Sequence, residues 1–203
     1  MDERARPLLE SDVDPDPLRQ FERWFQEAAG VVRVPEAMAV ATASADARPS
    51  LRMVLLKQFD ERGFVFFTGY ESRKGRELEA NGRAALLLYW DPLGRQVRIE
   101  GPVERTSSEE SERYFHTRPR GAQLAALASN QSSVIAGRDE LEGRYAQLER
   151  ELDGKDVPLP RAWGGFRVLP ESYEFWQHRE NRMHDRLRYR REGDGWTIER
   201  LSS

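Results

Sequence analysis

The stretch Arg83–Thr106, RAALLLYWDPLGRQVRIEGPVERT, constrains the fold more than any other. Two β-type runs meet across DPLG, a turn-forming tetrapeptide, so the chain must double back as an antiparallel pair. In the second run Val97, Ile99, Gly101 and Val103 alternate with Gln96, Arg98 and Glu100, giving one apolar and one polar face. The pattern recurs along the chain. AMAVATAS and PSLRMVLLKQF flank ADAR, and DERG precedes FVFFTG. Near the C-terminus WGGFRVLP, SYEFWQ and DRLRYRRE follow one another, and GDG leads into WTIERL. Hairpin-joined strands, with no GxGxxG after a strand, argue against a parallel dinucleotide-binding sheet.

Helical segments interrupt these strands. DPLRQFERWFQEAAG has Asp16 as its cap and Pro17 in the first turn. SRKGRELEAN begins at Ser72, a second cap, and SSEESERYFHTR, RGAQLAALAS and RDELEGRYAQLERELDG follow. Five or six antiparallel strands with inserted helices predict a mainly β, α+β fold, a β-barrel with helical additions. Residues 1–15, rich in Asp and Pro, read as a flexible N-terminal arm, and 16–203 as a single domain.

Composition narrows the chemistry. The chain has 32 Lys+Arg against 35 Asp+Glu, a net charge of −3, and so no global field to hold a polyanion. The basic stretch FWQHRENRMHDRLRYRRE, Phe175–Glu192, must therefore act locally. With no cysteine, disulfides, thiolate metal sites and cysteine nucleophiles are excluded, and three histidines leave little for a metal cage. No run approaches the ~18 apolar residues of a membrane span. The acidic start lacks the order of a signal peptide, so a cytoplasmic protein is expected.

Five constellations carry candidate chemistry. In RMVLLK, Arg52 and Lys57 bracket an apolar strand, although strict alternation puts them on opposite faces. In TGYESRKGRE, Arg73 and Lys74 sit at a helix start, where free N–H groups receive phosphate. In YFHTRPRGAQ, Tyr114 and Arg118 are four apart and so share one helical face, a pairing that grips phosphate. SNQSS offers Gln131 and Ser132 between two helices. In RMHDR, Arg182, His184 and Arg186 project from one face of an extended strand, opposite Met183, Asp185 and Leu187. Each admits a bland alternative, a solvated strand end, helix start, polar loop or charged strand face.

Taken in order, these motifs resemble the pyridoxamine 5′-phosphate oxidase family over roughly residues 16–203. The matching segments are RMVLLK, FFTGYESRKGRELEAN, RQVRIEG, YFHTRPR, NQSS, PLPRAWGGFRVLPESYEFWQ and RMHDRLRYRR. The resemblance implies a split β-barrel homodimer with FMN at the subunit interface. It implies oxidation of pyridoxamine or pyridoxine 5′-phosphate to pyridoxal 5′-phosphate with O2 as acceptor, giving H2O2. Implied FMN contacts are Arg52, Met53, Val54, Leu55, Leu56 and Lys57, then Phe67, Thr68, Arg73 and Lys74. Gln96, Gln131, Ser132, Trp176 and Arg186 complete that set. Lys57, Tyr114 and Arg118 would hold the substrate phosphate, and Arg182 and His184 the substrate ring, as the catalytic candidates. No membrane or nucleic-acid partner is implied.

Four departures from the family pattern concern mostly the substrate side. Phe67 stands where tyrosine is frequent, Ala122 where serine is frequent, and His178 where glycine is usual. The N-terminal arm lacks the basic-aromatic lid segment of some members. Alternatives therefore remain: a related FMN oxidase of another aromatic, such as a phenazine precursor, or a flavin- or pyridoxal-phosphate-binding protein with little turnover. A nucleic-acid module built on the C-terminal arginines is a third, opposed by the net charge.

Overall fold

The hairpin signals resolve into strands joined by short turns in a computed structural model that describes residues 6–203. The strands are β1 (Ala37–Ala43), β2 (Pro49–Leu55), β3 (Gln58–Asp60), β4 (Gly63–Gly69), β5 (Arg83–Trp90) and β6 (Arg95–Arg105). Then come β7 (Trp163–Val168), β8 (Ser172–Gln177), β9 (Asp185–Glu192) and β10 (Gly195–Arg200). Helix α1 (Pro17–Ala29) precedes them, α2 (Arg73–Asn81) follows β4, and α3 (Ser108–Thr117), α4 (Arg120–Ala128) and α5 (Arg138–Glu151) separate β6 from β7. The ten strands among the described residues exceed the five or six expected: each of the nine strand-like runs forms a strand, and PSLRMVLLKQF is divided at Leu56 and Lys57 into β2 and β3.

All pairings are antiparallel, and they curl into a barrel. β2, β1, β5 and β6 are successive neighbours. The far end of β6, Val103–Arg105, leaves that sheet to pair with β7. β7 pairs with β4, β4 with β3, and β3 follows β2 after only Leu56 and Lys57. The near half of β6 pairs instead with β8, which carries β9 and β10 as an extension. Gly101 lies where the strand changes partners. A Cβ there would meet the Leu169 carbonyl oxygen at 1.8 Å, so only glycine fits.

Helix α1 is capped as the sequence predicts, with Leu18 N donating to Asp16 Oδ1 at 2.9 Å. Its apolar stripe covers the barrel core. Phe21 meets Phe64 edge-on at 4.9 Å, and Trp24 meets Phe175 at 5.2 Å. Buried Arg95 stacks on Trp24, donates to Gln177 Oε1 at 2.9 Å and pairs with Glu27. A smaller cluster of Phe115, Leu124 and Val157 fastens α3–α5 to the barrel.

The segment ahead of α1, expected as a flexible arm over 1–15, makes specific contacts from Leu8 onward; residues 1–5 lie outside the described residues. Leu8 is buried, and its N–H donates to Asp185 Oδ2 at 3.2 Å. Arg200 binds the Leu8 carbonyl and Glu10, while the Tyr189 hydroxyl donates to the Asp14 carbonyl at 2.6 Å. Among the described residues no helix is long and apolar enough to cross a membrane.

Candidate functional site

A cavity of about 910 Å³ opens beside β4, bounded by the end of β2, the start of α2, and helices α3–α5. It takes in Met53, Val54, Leu55, Lys57, Phe67, Thr68, Lys74, Tyr114, Arg118 and Gln131. Met53, Leu55 and Lys57 continue the every-second-residue spacing of β2, which carries Lys57 into the cavity and leaves Arg52 outside it, as alternation predicts. The Lys57 N–H donates to the Val65 carbonyl at 2.9 Å, which holds this link against β4. Phe67 lies under Tyr114, with ring centroids 4.0 Å apart, and Trp163 continues the stack at 5.5 Å from Phe67. The cavity therefore presents flat aromatic faces alongside cations.

Three cations line it, Lys57, Lys74 and Arg118, and none has a counter-ion among the described residues. Lys74 is buried, and its Nζ donates to Thr68 Oγ1 at 3.0 Å. It has no carboxylate partner among the described residues. Burial, then the Arg52 charge, pushes its pKa down. Arg118 lies over Trp163 at 4.9 Å, and its buried Nη1 has no hydrogen-bond partner among the described residues. Burial lowers the Arg118 pKa and raises that of Tyr114, each opposed by the other group. Cations kept in such surroundings call for an anion. The expected helical pairing of Tyr114 with Arg118 is corrected in detail. α3 ends at Thr117, and Arg118 is extended, at φ −74° and ψ 147°, ahead of Pro119. A proline disfavours helical geometry in the residue before it.

Helix α2 begins as predicted, with Gly75 N donating to Ser72 Oγ at 3.2 Å. Arg52 and Arg73 do not line the cavity; they converge on Glu77, a residue the motif reading passed over. Glu77 accepts from Arg73 Nε at 2.9 Å, Arg52 Nη2 at 3.2 Å, Thr42 Oγ1 at 2.5 Å, and Ser50. Burial alone would raise its pKa. Hydrogen bonds from Ser50, Thr42, Arg73 and Arg52 outweigh that and bring it down to about 2. The signal for Glu77 was its i,i+4 spacing from Arg73. Gln131 accepts through Oε1 from Thr68 Oγ1 at 2.8 Å and from Gly69 N at 3.2 Å, so it bridges the loop after α4 to β4. Its neighbour Ser132 is exposed with φ +72°, and Leu56 is buried in the core; neither lines the cavity.

The remaining residues form a second group. Gln96, Trp176 and Arg186 occupy one row across β6, β8 and β9, and none of them lines the cavity. Arg186 is held by buried Glu174 through Nε at 2.8 Å and Nη2 at 3.2 Å, and Arg98 pairs with the same carboxylate. Glu174 too was missed, though its place two residues before Trp176 puts it on the same strand face. The expected strand through Arg182 and His184 is also corrected. β9 starts at Asp185, Glu180–Arg182 form a 3-10 turn, and Asn181 and Arg182 have φ of +56° and +60°. Met183, expected on the face opposite Arg182 and His184, is exposed. His184 still meets Trp176, at 4.5 Å, and lies 5.3 Å from His178. Its Nδ1 accepts from Arg179 N at 3.2 Å, which leaves a neutral ring's proton on Nε2. Burial first, then His178 and Arg182, lowers its pKa and favours that neutral form.

Comparison with known proteins adds a separate line of observation. Residues 25–150 match the family model described as pyridoxamine 5′-phosphate oxidase. Residues 163–203 match the pyridoxine 5′-phosphate oxidase C-terminal dimerisation region. The pyridoxine/pyridoxamine 5′-phosphate oxidase of Rubrobacter xylanophilus is 62% identical over 196 residues, spanning 96% of this chain and 90% of that protein. The enzyme of that name from Burkholderia multivorans is 57% identical over 199 residues, spanning 96% and 92%. Among solved structures, PhzG from Burkholderia lata 383, in complex with tetrahydrophenazine-1-carboxylic acid, is 34% identical. It superposes with a TM-score of 0.91 over 98% of this chain and 99% of that one.

Proposed function

From the premise that this chain belongs to the pyridoxamine 5′-phosphate oxidase family, we propose that it converts pyridoxamine and pyridoxine 5′-phosphates to pyridoxal 5′-phosphate, with FMN as cofactor. The observation that carries this reading is the group of cations without counter-ions among the described residues, Lys57, Lys74 and Arg118, in one cavity with stacked aromatic rings. A flavin mononucleotide and a phosphorylated pyridine are both flat rings bearing a phosphate, so the donor set fits them. Lys74, Thr68 and Gln131 are assigned to FMN. Glu77 keeps Arg52 and Arg73 oriented beside them. The chemistry FMN supplies is two-electron oxidation at the substrate C4′, with O2 as terminal acceptor and H2O2 as co-product.

The protein's own work is binding and orientation. Lys57, Tyr114 and Arg118 hold the substrate phosphate. Gln96, Trp176, Arg182, His184 and Arg186 come from a second copy of the chain, docked through its C-terminal strands, and complete the site. Arg182 holds the substrate ring and stabilises developing negative charge, while His184 donates from Nε2 to a ring substituent. No side chain is required as a covalent nucleophile.

The likeness to PhzG favours one second reading, oxidation of a phenazine precursor. An unphosphorylated substrate would leave Arg118 Nη1 unpaired, which argues against it. The deciding test is turnover of the yellow, FMN-loaded protein with pyridoxamine 5′-phosphate, pyridoxine 5′-phosphate, unphosphorylated pyridoxamine and a reduced phenazine carboxylate. H2O2 formation with the two phosphates, at a far lower KM than with unphosphorylated pyridoxamine and with none from the phenazine, is the expected result. Turnover confined to the phenazine would overturn the assignment, and a colourless protein that takes up no FMN would remove the flavin from it.

A further inference from the structure

Tyr145 of α5 belongs to neither group of residues assigned so far, yet it lines the same cavity. Its ring is half-buried between α4 and α5, against the small cluster of Phe115, Leu124 and Val157. Its hydroxyl makes no hydrogen bond to any described residue. That hydroxyl lies over the first turn of α4. A Cβ built on Gly121 would approach it at 3.2 Å, tighter than side chains ordinarily tolerate, so the glycine makes room for the phenol. Pro119 and Ala122, on either side of that turn, both line the cavity, and Arg118 with its unpartnered Nη1 immediately precedes it. Ala122 offers only a methyl group there. A phenol and a guanidinium nitrogen without hydrogen-bond partners among the described residues, and a helix start without a side-chain cap, thus border the same cavity around the first turn of α4.

We infer that Tyr145 is a substrate-binding residue that donates its hydroxyl to the substrate phosphate held by Arg118, and so sets the preference for phosphorylated substrates. The inference rests on the proposed phosphate-bearing substrate. A neutral phenol donating to a phosphate oxygen makes a charge-assisted hydrogen bond. Losing it weakens binding of the phosphorylated ligand and leaves the chemical step alone, because the contact is the same in the ground and transition states.

The test uses the FMN-loaded protein with Tyr145→Phe, which removes one oxygen and keeps the ring, and Gly121→Ala, which keeps the hydroxyl and displaces it. KM and kcat are measured for pyridoxamine 5′-phosphate and for unphosphorylated pyridoxamine. Binding of pyridoxal 5′-phosphate is measured separately by calorimetry. Tyr145→Phe is expected to raise KM for the phosphorylated amine, and Kd for pyridoxal 5′-phosphate, roughly five- to tenfold. Its kcat, and KM for pyridoxamine, stay as in the unaltered protein, and Gly121→Ala shifts the same constants in the same direction. Unchanged KM and Kd in Tyr145→Phe would overturn the inference, as would an equal loss with the unphosphorylated amine. If the unaltered protein oxidises neither amine but binds pyridoxal 5′-phosphate in a Tyr145-dependent way, the proposed reaction fails and the phosphate contact stands.

Discussion

Glu77 is the residue on which the cationic wall of the site depends. One carboxylate, almost shut off from solvent, takes hydrogen bonds from two arginines, a threonine and a serine. Replacing it by Gln keeps the shape and removes the charge, leaving Arg52 and Arg73 to repel each other beside Lys74. Glu77→Gln is expected to cost about 1–3 kcal/mol of stability at pH 7. The pH dependence has a definite sign. The folded carboxyl titrates at about 2 against an ordinary 4.5. Its contribution is therefore complete above pH 4.5 and is lost as pH falls toward 2. Urea titrations of the two proteins across that window should show the stability gap closing as acid is added. A gap that stays constant would mean that Glu77 is not held as the charged acceptor of this network. FMN affinity at pH 7 should fall as well, since the guanidinium groups lose their common anchor.

The first turn of α2 carries the site at the next level, and it was readable from sequence because Ser72 is a standard cap ahead of a helix-forming run. What could not be read there was Gly75. Its Cβ position lies 2.1 Å from the Tyr70 carbonyl oxygen, so α2 folds directly onto the turn that leaves β4. Gly75→Ala is expected to push α2 away and draw Lys74 from Thr68. We expect a loss of about 2 kcal/mol or more, and a large drop in bound FMN. Gly82, which ends α2 at φ +70° with nothing near its Cβ position, is the control. Gly82→Ala should cost only about 1 kcal/mol of backbone strain and leave flavin content unchanged. Equal flavin loss in both variants would show that helix integrity, not the close approach, governs the site. Local patterns were legible wherever one short-range rule decided the geometry, as at Asp16, Ser72 and the DPLG turn. They failed where a neighbour intervened. Pro119 turns Arg118 out of α3, and left-handed Asn181 and Arg182 break the strand expected through His184. Glu174 escaped notice because its partners lie on other elements, and Glu77 was signalled only by Arg73 four residues earlier, its other partners lying on β1 and β2.

The whole molecule carries the proposed binding residues in two places, and the outer face of the sheet indicates how they would meet. Leu51 and Met53 on β2 are 68% and 65% exposed, and Leu55 continues the row. Through the register they adjoin the small side chains Ala41 and Ala39 on β1, and Ala85 and Leu87 on β5. Tyr89 then stands beside Gln96, Trp176 and Arg186 on the neighbouring strands. An apolar stripe running into a polar, arginine-bearing end is suited to burial against another protein surface. The C-terminal strands match a region described as a dimerisation region. A second copy with twofold symmetry would supply its own stripe and its own Trp176 and Arg186 reciprocally. Light scattering should therefore give twice the 23.5 kDa chain mass. Leu51 lies in the stripe but does not line the cavity, which separates assembly from direct ligand contact. Leu51→Lys places a charge in each half of the symmetric contact and should weaken dimerisation roughly a hundredfold or more. The resulting monomer should keep its circular dichroism, because Leu51 contributes nothing to the core, yet lose FMN and turnover together. Raising protein concentration should restore both in parallel with dimer formation. A monomeric unaltered protein that retains FMN and oxidises its substrate would mean that one chain completes the site, and that the row from Gln96 to Arg186 serves the fold alone.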